Sequence, residues 1–409
     1  MLRAFGTLIV GIFTPVGKIV AMENFADGLD KVSRAQRSLV DVGFAALGSV
    51  GLEVTTSTRS SRDAQARLGL PSARQVCLVL VDGMGYEQIV ARSGHIPVMR
   101  SLGLNDYIST VAPSTTAAAL TALGTGELPG RSAMVSYSVY ERASKKHFNL
   151  INFKGSPIQP EDWQETPTIF ELLQDRVAQT AVIQDPKYQG SGLTRAAFRG
   201  ARGTYVKSLR SRVEAAVDEL RRGTRFVYLY WGALDKKGHH YGVDSPTWVA
   251  ELETLDGAIG QLLRGAPTGT QVIITADHGM VRDTTKIDIA HEPELARDVR
   301  AVAGEERGFM LYTDSSEQAE EVAARWRAWL ADRGEIAYVY TKAEAIATGS
   351  FGPIGARANA ALGDVIVYAG ANTGFVDSRL LSESALGLLG VHGAFSDAEL
   401  RIPWIIGEA

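Results

Sequence analysis

The stretch 272–280, VIITADHGM, sets an aspartate and a histidine, Asp277 and His278, one residue beyond four β-branched residues. Asp82 follows a second apolar run in VCLVLVDGMG, and Asp235 and His239 follow a third in FVYLYWGALDKKGHHYG. His392 comes late in the chain, between an apolar residue and a glycine in VHGAF. Carboxylate and neutral imidazole are ligands that zinc and manganese both accept. Three of each, gathered near strand ends, are the stock from which two-metal hydrolase sites are made. Taken singly, each residue has an ordinary reading: a strand-end aspartate caps the next helix, and a lone histidine is a satisfied polar group. Their shared placement is what argues for metal.

A hydroxyl nucleophile is available in residues 112–123, APSTTAAALTAL. Pro113 ends a strand, so Ser114, Thr115 and Thr116 fall at the amino end of a helix. One of them could be a plain N-cap. The same place also offers unpaired backbone N–H groups and a positive dipole end to an anion, and a metal-bound hydroxyl is acidified toward attack. Ala117, Ala118 and Ala119 leave room for a substrate to approach.

These side chains need a frame that brings distant segments together. Residues 76–81, 226–231 and 272–276 read as buried strands, and 245–263 as a helix with Pro246 in its first turn and an apolar stripe from Trp248 to Leu263. Strand, helix, strand is a crossover unit, hence a parallel sheet with covered faces, whose crevice lies at the carboxyl ends of the strands. Further strands are expected at 107–111, 180–184, 309–312, 336–340 and 365–368, and helices at 86–92, 115–123, 208–222 and 317–331. A short helix is expected at 167–175, capped by Thr166. Residues 132–156 read as a hairpin or irregular structure. The glycine-rich, basic 190–207 reads as a loop over the site or, equally, as solvated surface. Asp235 and His239 are four apart, as on one helical turn, but Gly238 favours a loop that bends back; either path brings both to one metal.

With 409 residues, 45% hydrophobic and 22% charged, the chain has ample material for a core. A net charge of −4 gives no electrostatic case for a nucleic acid polymer or an anionic membrane as partner. Cys77, the one cysteine, lies inside a predicted strand and reads as a small core residue. Residues 1–21 carry an apolar run interrupted by Gly6, Gly11 and Pro15; the uncharged part, 4–17, is too short to span a membrane stably. A packed extension is expected there, with an export signal as the competing reading and Met22 as an alternative start. Residues 55–67 read as polar linker. The division expected is therefore 1–68 as extension and linker and 69–409 as catalytic domain, in a cytoplasmic protein.

In their order along 76–393, the motifs VDGMG, PSTT, DKKGHHYG, ADHGM and VHG resemble the alkaline phosphatase superfamily, in its nucleotide pyrophosphatase/phosphodiesterase branch. The resemblance implies an α/β fold in which a central, largely parallel sheet is sandwiched between helices, with inserted loops over the site. It implies two divalent ions, zinc in the family, though manganese accepts the same ligands. One would be held by Asp235, His239 and His392, the other by Asp82, Asp277, His278 and the nucleophile. In the family's P-[ST]-x-T pattern that nucleophile is Thr116, with Thr115 as its neighbour and rival. The implied reaction is a two-step displacement through a phosphothreonine, with the backbone N–H of Ala117 and the metals stabilising the phosphoryl group. The implied partner is a small phosphodiester or pyrophosphate of nucleotide type, and Tyr137, Trp231 and His240 are candidate substrate contacts. Ala119 stands where the resemblance leads one to expect an asparagine, and no arginine near Thr116 is placed to grip a monoester dianion. A phosphomonoesterase or phosphomutase on the same scaffold, and a non-catalytic metal-containing binding protein, are the alternative readings.

Overall fold

Runs such as Val76–Val81, with no polar side chain, can be buried on both faces only if helices cover both sides of the sheet they join. The computed structural model, which describes residues 29–282, 285–370 and 373–409, shows this arrangement. Ten strands build its two larger sheets: β1 (Gln75–Val81), β2 (Thr180–Gln184), β3 (Gly203–Tyr205), β4 (Phe226–Trp231), β5 (Thr270–Ala276), β6 (Ala301–Glu305), β7 (Gly308–Tyr312), β8 (Ala337–Thr341), β9 (Val365–Ala369) and β10 (Ile405–Glu408). The main sheet has the order β10-β5-β1-β4-β2-β3, parallel throughout except for β10, which runs antiparallel along β5. The fold is α/β with a central, largely parallel sheet, as the sequence led one to expect.

Register decides what leaves the sheet together. Val81 of β1 pairs with Ala276 of β5 on one side and with Trp231 of β4 on the other. The next residues, Asp82 and Asp277, therefore emerge side by side at the carboxyl edge, where the loops of a parallel sheet form its crevice.

The helices that bear on the site are α1 (Leu39–Ser49), α2 (Ser61–Leu68), α3 (Thr116–Thr125), α4 (Ala233–Tyr241), α5 (Pro246–Gly265) and α6 (Ser316–Arg333). Helix α5 buries Trp248, Leu252, Leu255, Ile259 and Leu262, the stripe predicted from spacing, and Ser245 caps it by accepting from the Trp248 N–H at 3.1 Å. The second sheet, β6-β7-β9-β8, is antiparallel throughout. It packs Phe309 with Trp326 of α6 and with Phe375 into a separate apolar cluster.

Two expectations need correction. Residues 29–68 are not an extension joined by a linker. Helix α1 is buried on nearly every side and lies against α3; the stretch 55–67 contains most of α2. The buried carboxylate of Asp41 draws in Arg59 and Arg67, and Arg59 Nε donates to the Gly126 carbonyl at the end of α3 (2.8 Å). The polar residues that resembled a linker are thus the anchors of this subdomain to α3, so a boundary at 68/69 divides one packed unit. The second correction concerns 190–207, which forms a short helix, Gly192–Ala197, and the edge strand β3. Its arginines face carboxylates: Arg195 pairs with Glu161, Arg199 with Glu171 and Arg202 with Glu219.

Smaller shifts have local causes. The short helix expected at 167–175 is Ile169–Leu173, because Thr168 caps it in a reciprocal pair with Glu171. The hairpin within 132–156 forms between Ser138–Glu141 and Lys146–Asn149. Residues 1–28, on which the export-signal reading falls, lie outside the described residues. Among the described residues no helix is long and apolar enough to cross a membrane.

Candidate functional site

The six predicted ligands fall into two groups, in each of which the donor atoms lie within 4.8 Å of one another. In the first, Asp82, Asp277 and His278 are almost wholly withdrawn from solvent. His278 Nε2 stands 3.4 Å from Asp277 Oδ2 and 3.6 Å from Asp82 Oδ1. In the second, Asp235 and His239 are one turn apart on α4, with Nε2 to Oδ1 at 3.3 Å, and His392 Nε2 lies 3.9 Å from the same Oδ1. The rings of His278 and His392 stack at 3.7 Å between centroids, so the two groups are adjacent.

The loop expected around Gly238 is a helix, and the glycine has another purpose. A Cβ at Gly238 would meet Met280 Sδ at 2.5 Å, and the strand Gly390–Val391 passes close by. Gly238 thus makes room for Met280, and Gly390 makes the approach possible: a Cβ there would meet the Gly238 carbonyl oxygen at 2.4 Å, so its absence lets the strand lie against α4 and deliver His392. Gly83 does the same for the other group: its φ is 71°, and a Cβ would sit 2.9 Å from the Cβ of Asp235.

The imidazoles are oriented alike. His239 Nδ1 is 2.7 Å from the Gly390 carbonyl, His278 Nδ1 3.0 Å from that of Gly279, and His392 Nδ1 2.9 Å from that of Ser114. A carbonyl only accepts, so each Nδ1 carries the proton and each Nε2 presents a lone pair. Those lone pairs face carboxylate oxygens, an arrangement that repels unless a cation lies between. Asp235 Oδ1 and Asp277 Oδ2, the oxygens they face, are buried and have no hydrogen-bond partner. These residues fit the donor set and outer support that a metal ion would need.

Burial pushes the Asp82 carboxyl well above the ordinary range, and the charges of Asp277 and Asp235 add to it. Asp277 is pushed up to about 7, again chiefly by burial. Burial holds His392 well below the usual imidazole range, with His278 and His239 contributing. A cluster that disfavours its own anions and its own imidazolium is one that a divalent cation would relieve.

Thr116 is the first residue of α3, and its Oγ1 lies 3.1 Å from His278 Nε2 and 3.5 Å from Asp82 Oδ1. Thr115, the N-cap, turns its hydroxyl away to Glu305 Oε2 at 3.2 Å. The first intrahelical bond runs from Ala119 N–H to Thr115 C=O, so the N–H groups of Thr116, Ala117 and Ala118 precede it at the helix mouth.

A cavity of about 710 Å³ opens over these residues; Tyr137 and His240 are among its lining. Trp231 is not. Side chains alternate along β4, so Tyr230 turns inward to donate to Asp82, while Trp231 donates to Glu251 at 2.8 Å and stacks under Arg212. Ala119 is fully buried in the core, whereas Thr116 and Leu120 of the same helix face the cavity. His291 is exposed and pairs with Asp288.

Sequence reasoning missed Glu305. This nearly buried carboxylate, at the end of β6, accepts from Thr115 and stands 3.6 Å from His392 Nδ1; its Oε1 has no hydrogen-bond partner. Burial raises its pKa well above the usual range, and Glu399 and Asp235 add to the effect. No local pattern marks it, because the second sheet brings it in. The same holds for Tyr230, which was read only as part of a strand.

The profile of the family described as Type I phosphodiesterase / nucleotide pyrophosphatase matches residues 76–394. The chain belongs to this family. It is thus a phosphoester hydrolase of the phosphodiesterase/pyrophosphatase kind, and the match spans both ligand groups and Thr116. No curated protein matches its sequence. Among solved structures, phosphonoacetate hydrolase from Sinorhizobium meliloti 1021, in complex with phosphonoformate, aligns with a TM-score of 0.65 at 19% identity, over 87% of this chain and 92% of that one. Murine ectonucleotide pyrophosphatase / phosphodiesterase 5 aligns with a TM-score of 0.63 at 18% identity, over 81% and 87%. An inactive form of that murine protein in complex with AMP gives 0.62 at 17%, with the same coverage. At these identities the likeness is one of fold, the alkaline-phosphatase-like fold that this phosphodiesterase family shares.

Proposed function

We propose that the protein cleaves phosphodiester or pyrophosphate bonds in small molecules through a covalent threonine ester on Thr116. The observation that carries this reading is the Thr116 hydroxyl, held at 3.1 Å from His278 Nε2 and 3.5 Å from Asp82 Oδ1 at the open end of α3. Asp82, Asp277 and His278 would hold one divalent cation with Thr116 beside it, and Asp235, His239 and His392 a second, zinc or manganese by donor chemistry. Such ions, when bound, neutralise charge on phosphoryl oxygens and lower the pKa of a coordinated hydroxyl or water.

The chain's own groups do the rest. Thr116 Oγ1 gives up its proton to solvent in the cavity and attacks phosphorus; the bond to the leaving oxygen breaks, that oxygen takes up a proton from solvent, and configuration inverts. The N–H groups at the mouth of α3, that of Ala117 among them, are available to the phosphoryl oxygens as negative charge builds. Water then attacks the phosphothreonine, releasing Thr116 with a second inversion and net retention. Tyr230 holds Asp82 by a hydrogen bond, and three backbone carbonyls hold the imidazoles, so the polar groups are oriented before substrate arrives.

The AMP complex of the murine relative supports a nucleotide as one substrate to try first. The test is metal content together with hydrolysis of bis-p-nitrophenyl phosphate by the wild type, Thr116→Ala and Thr115→Ala. The expected result is near-stoichiometric metal at both groups and loss of at least about a thousandfold in kcat for Thr116→Ala alone. A metal-loaded Thr116→Ala protein that still turns over at the wild-type rate would overturn the assignment. A preference for p-nitrophenyl phosphate over the diester would move the reading to a phosphomonoesterase.

A further inference from the structure

The cavity beyond the ligand groups has a lining that sorts substrates by charge. Among the described residues that line it there is one lysine, Lys236, and no arginine. The nearby cations are already engaged by carboxylates: Lys286 Nζ pairs with Glu306 at 2.9 Å, and Arg379 forks onto Asp377 at 2.8 and 2.7 Å. Glu305 adds a carboxylate oxygen without a partner. A second phosphate or a carboxylate on the substrate would meet no bidentate cation here, and Glu305 would face it.

What the wall does offer is apolar. Leu120, Phe148, Leu193 and Phe198 line the side of the main sheet. The segment 377–391 adds a rim to the cavity in Leu380 and Leu381, which are 55% and 38% exposed and also line it. The rim is tied to the metal-ligand helix: the Leu389 N–H donates to the His239 carbonyl at 2.7 Å. Exposed leucines concentrated at a cavity mouth are an apolar patch of the kind that marks a binding surface.

We infer that the ester group that stays on phosphorus during the first displacement is uncharged and largely apolar, an alkyl or aryl ester seated between the Leu193–Phe198 wall and the Leu380–Leu381 rim. This rests on the phosphoester reading of the same site. It ranks apolar monoanionic diesters above nucleoside polyphosphates as substrates.

The test uses the metal-loaded full chain and a series of alkyl p-nitrophenyl phosphates from methyl to hexyl, which keep one leaving group throughout. p-Nitrophenyl thymidine phosphate and ATP serve as comparators. The expected result is a kcat/KM that rises about two- to fourfold per methylene, the gain from burying each in an apolar wall, with the hexyl ester ahead of both comparators. The double change Leu380→Ser with Leu381→Ser should flatten that slope. A wild-type slope near zero, an unchanged slope in the double variant, or ATP as the better substrate would each overturn the inference. If no diester turns over, the hydrolase reading fails separately, and calorimetric binding of methyl- to hexylphosphonate decides the inference: tightening with chain length supports it, and length-independent binding overturns it.

Discussion

The two ligand groups are chemically alike and built in different ways. Asp82, Asp277 and His278 leave two adjacent strands of the main sheet, are essentially withdrawn from water, and owe their proximity to the β1–β5 register. Asp235 and His239 share a helical turn, remain partly open to the cavity at 16% and 23% exposure, and receive His392 from a short strand far along the chain. The first group carries the greater cost of buried charge, and the second stands where substrate and water arrive. On the two-cation reading proposed above, the first group would hold its ion the more tightly and the second would exchange its ion the more readily.

That contrast can be broken most directly at its buried end. Asp277→Asn should lose more than about 100-fold in activity, beyond what outer-sphere changes commonly cause, and metal analysis should show one site emptied even at millimolar metal. His239→Ala should cost about 10- to 100-fold, of the order set by a lost orienting contact, and titrated zinc or manganese should recover part of it. Equal losses and equal rescue in the two variants would erase the distinction.

Chelation sharpens it through pH. In metal-free protein the folded-state pKa of Asp82 and of Asp277 is raised, the latter to about 7, so the folded chain holds protons that the unfolded chain releases near pH 4. The stabilisation those protons provide is full at low pH and is lost as pH rises through the raised values. His392, held neutral by burial, acts in the opposite direction, but only below an unfolded imidazole pKa of about 6.5. Between about pH 6.5 and 8 the carboxylates act alone, and the Tm of chelated protein should fall with pH. Added metal should abolish the fall. A Tm that climbs across that window without metal would contradict the buried-anion account.

The smallest effect belongs to Glu305→Gln. The amide can still accept from Thr115, so the fold should hold, while the titratable carboxyl beside His392 Nδ1 is gone. Metal affinity at the Asp235 group should weaken by about tenfold, with the Asp82 group unchanged, as competition with a chromophoric chelator would report. An equal change at both groups would mean that Glu305 acts on the whole cluster and not on one side of it.

Much of the site was readable because strands announce their own ends. An apolar run that stops at an aspartate marks both the strand and the edge where that aspartate emerges, as at Asp82 and Asp277. Helix α5 was equally legible from its stripe. Gly238 misled for a physical reason: its absent side chain makes room for the Met280 thioether, not for a bend in its own backbone. The polar 55–67 misled likewise, because Arg59 and Arg67 are spent on a buried partner, Asp41, that no local pattern pairs with them.

By itself the sequence determined the periodic elements, the donor types and the order of the motifs, since each depends on neighbours within a few residues. Tertiary structure alone decided the rest. Sheet register put Asp82 beside Asp277, alternation along β4 turned Tyr230 inward and Trp231 outward, and the second sheet brought Glu305 to Thr115 and His392. These relations join residues separated by tens to hundreds of positions, where the energy lies in packing and pairing between elements and leaves no signature in either segment alone.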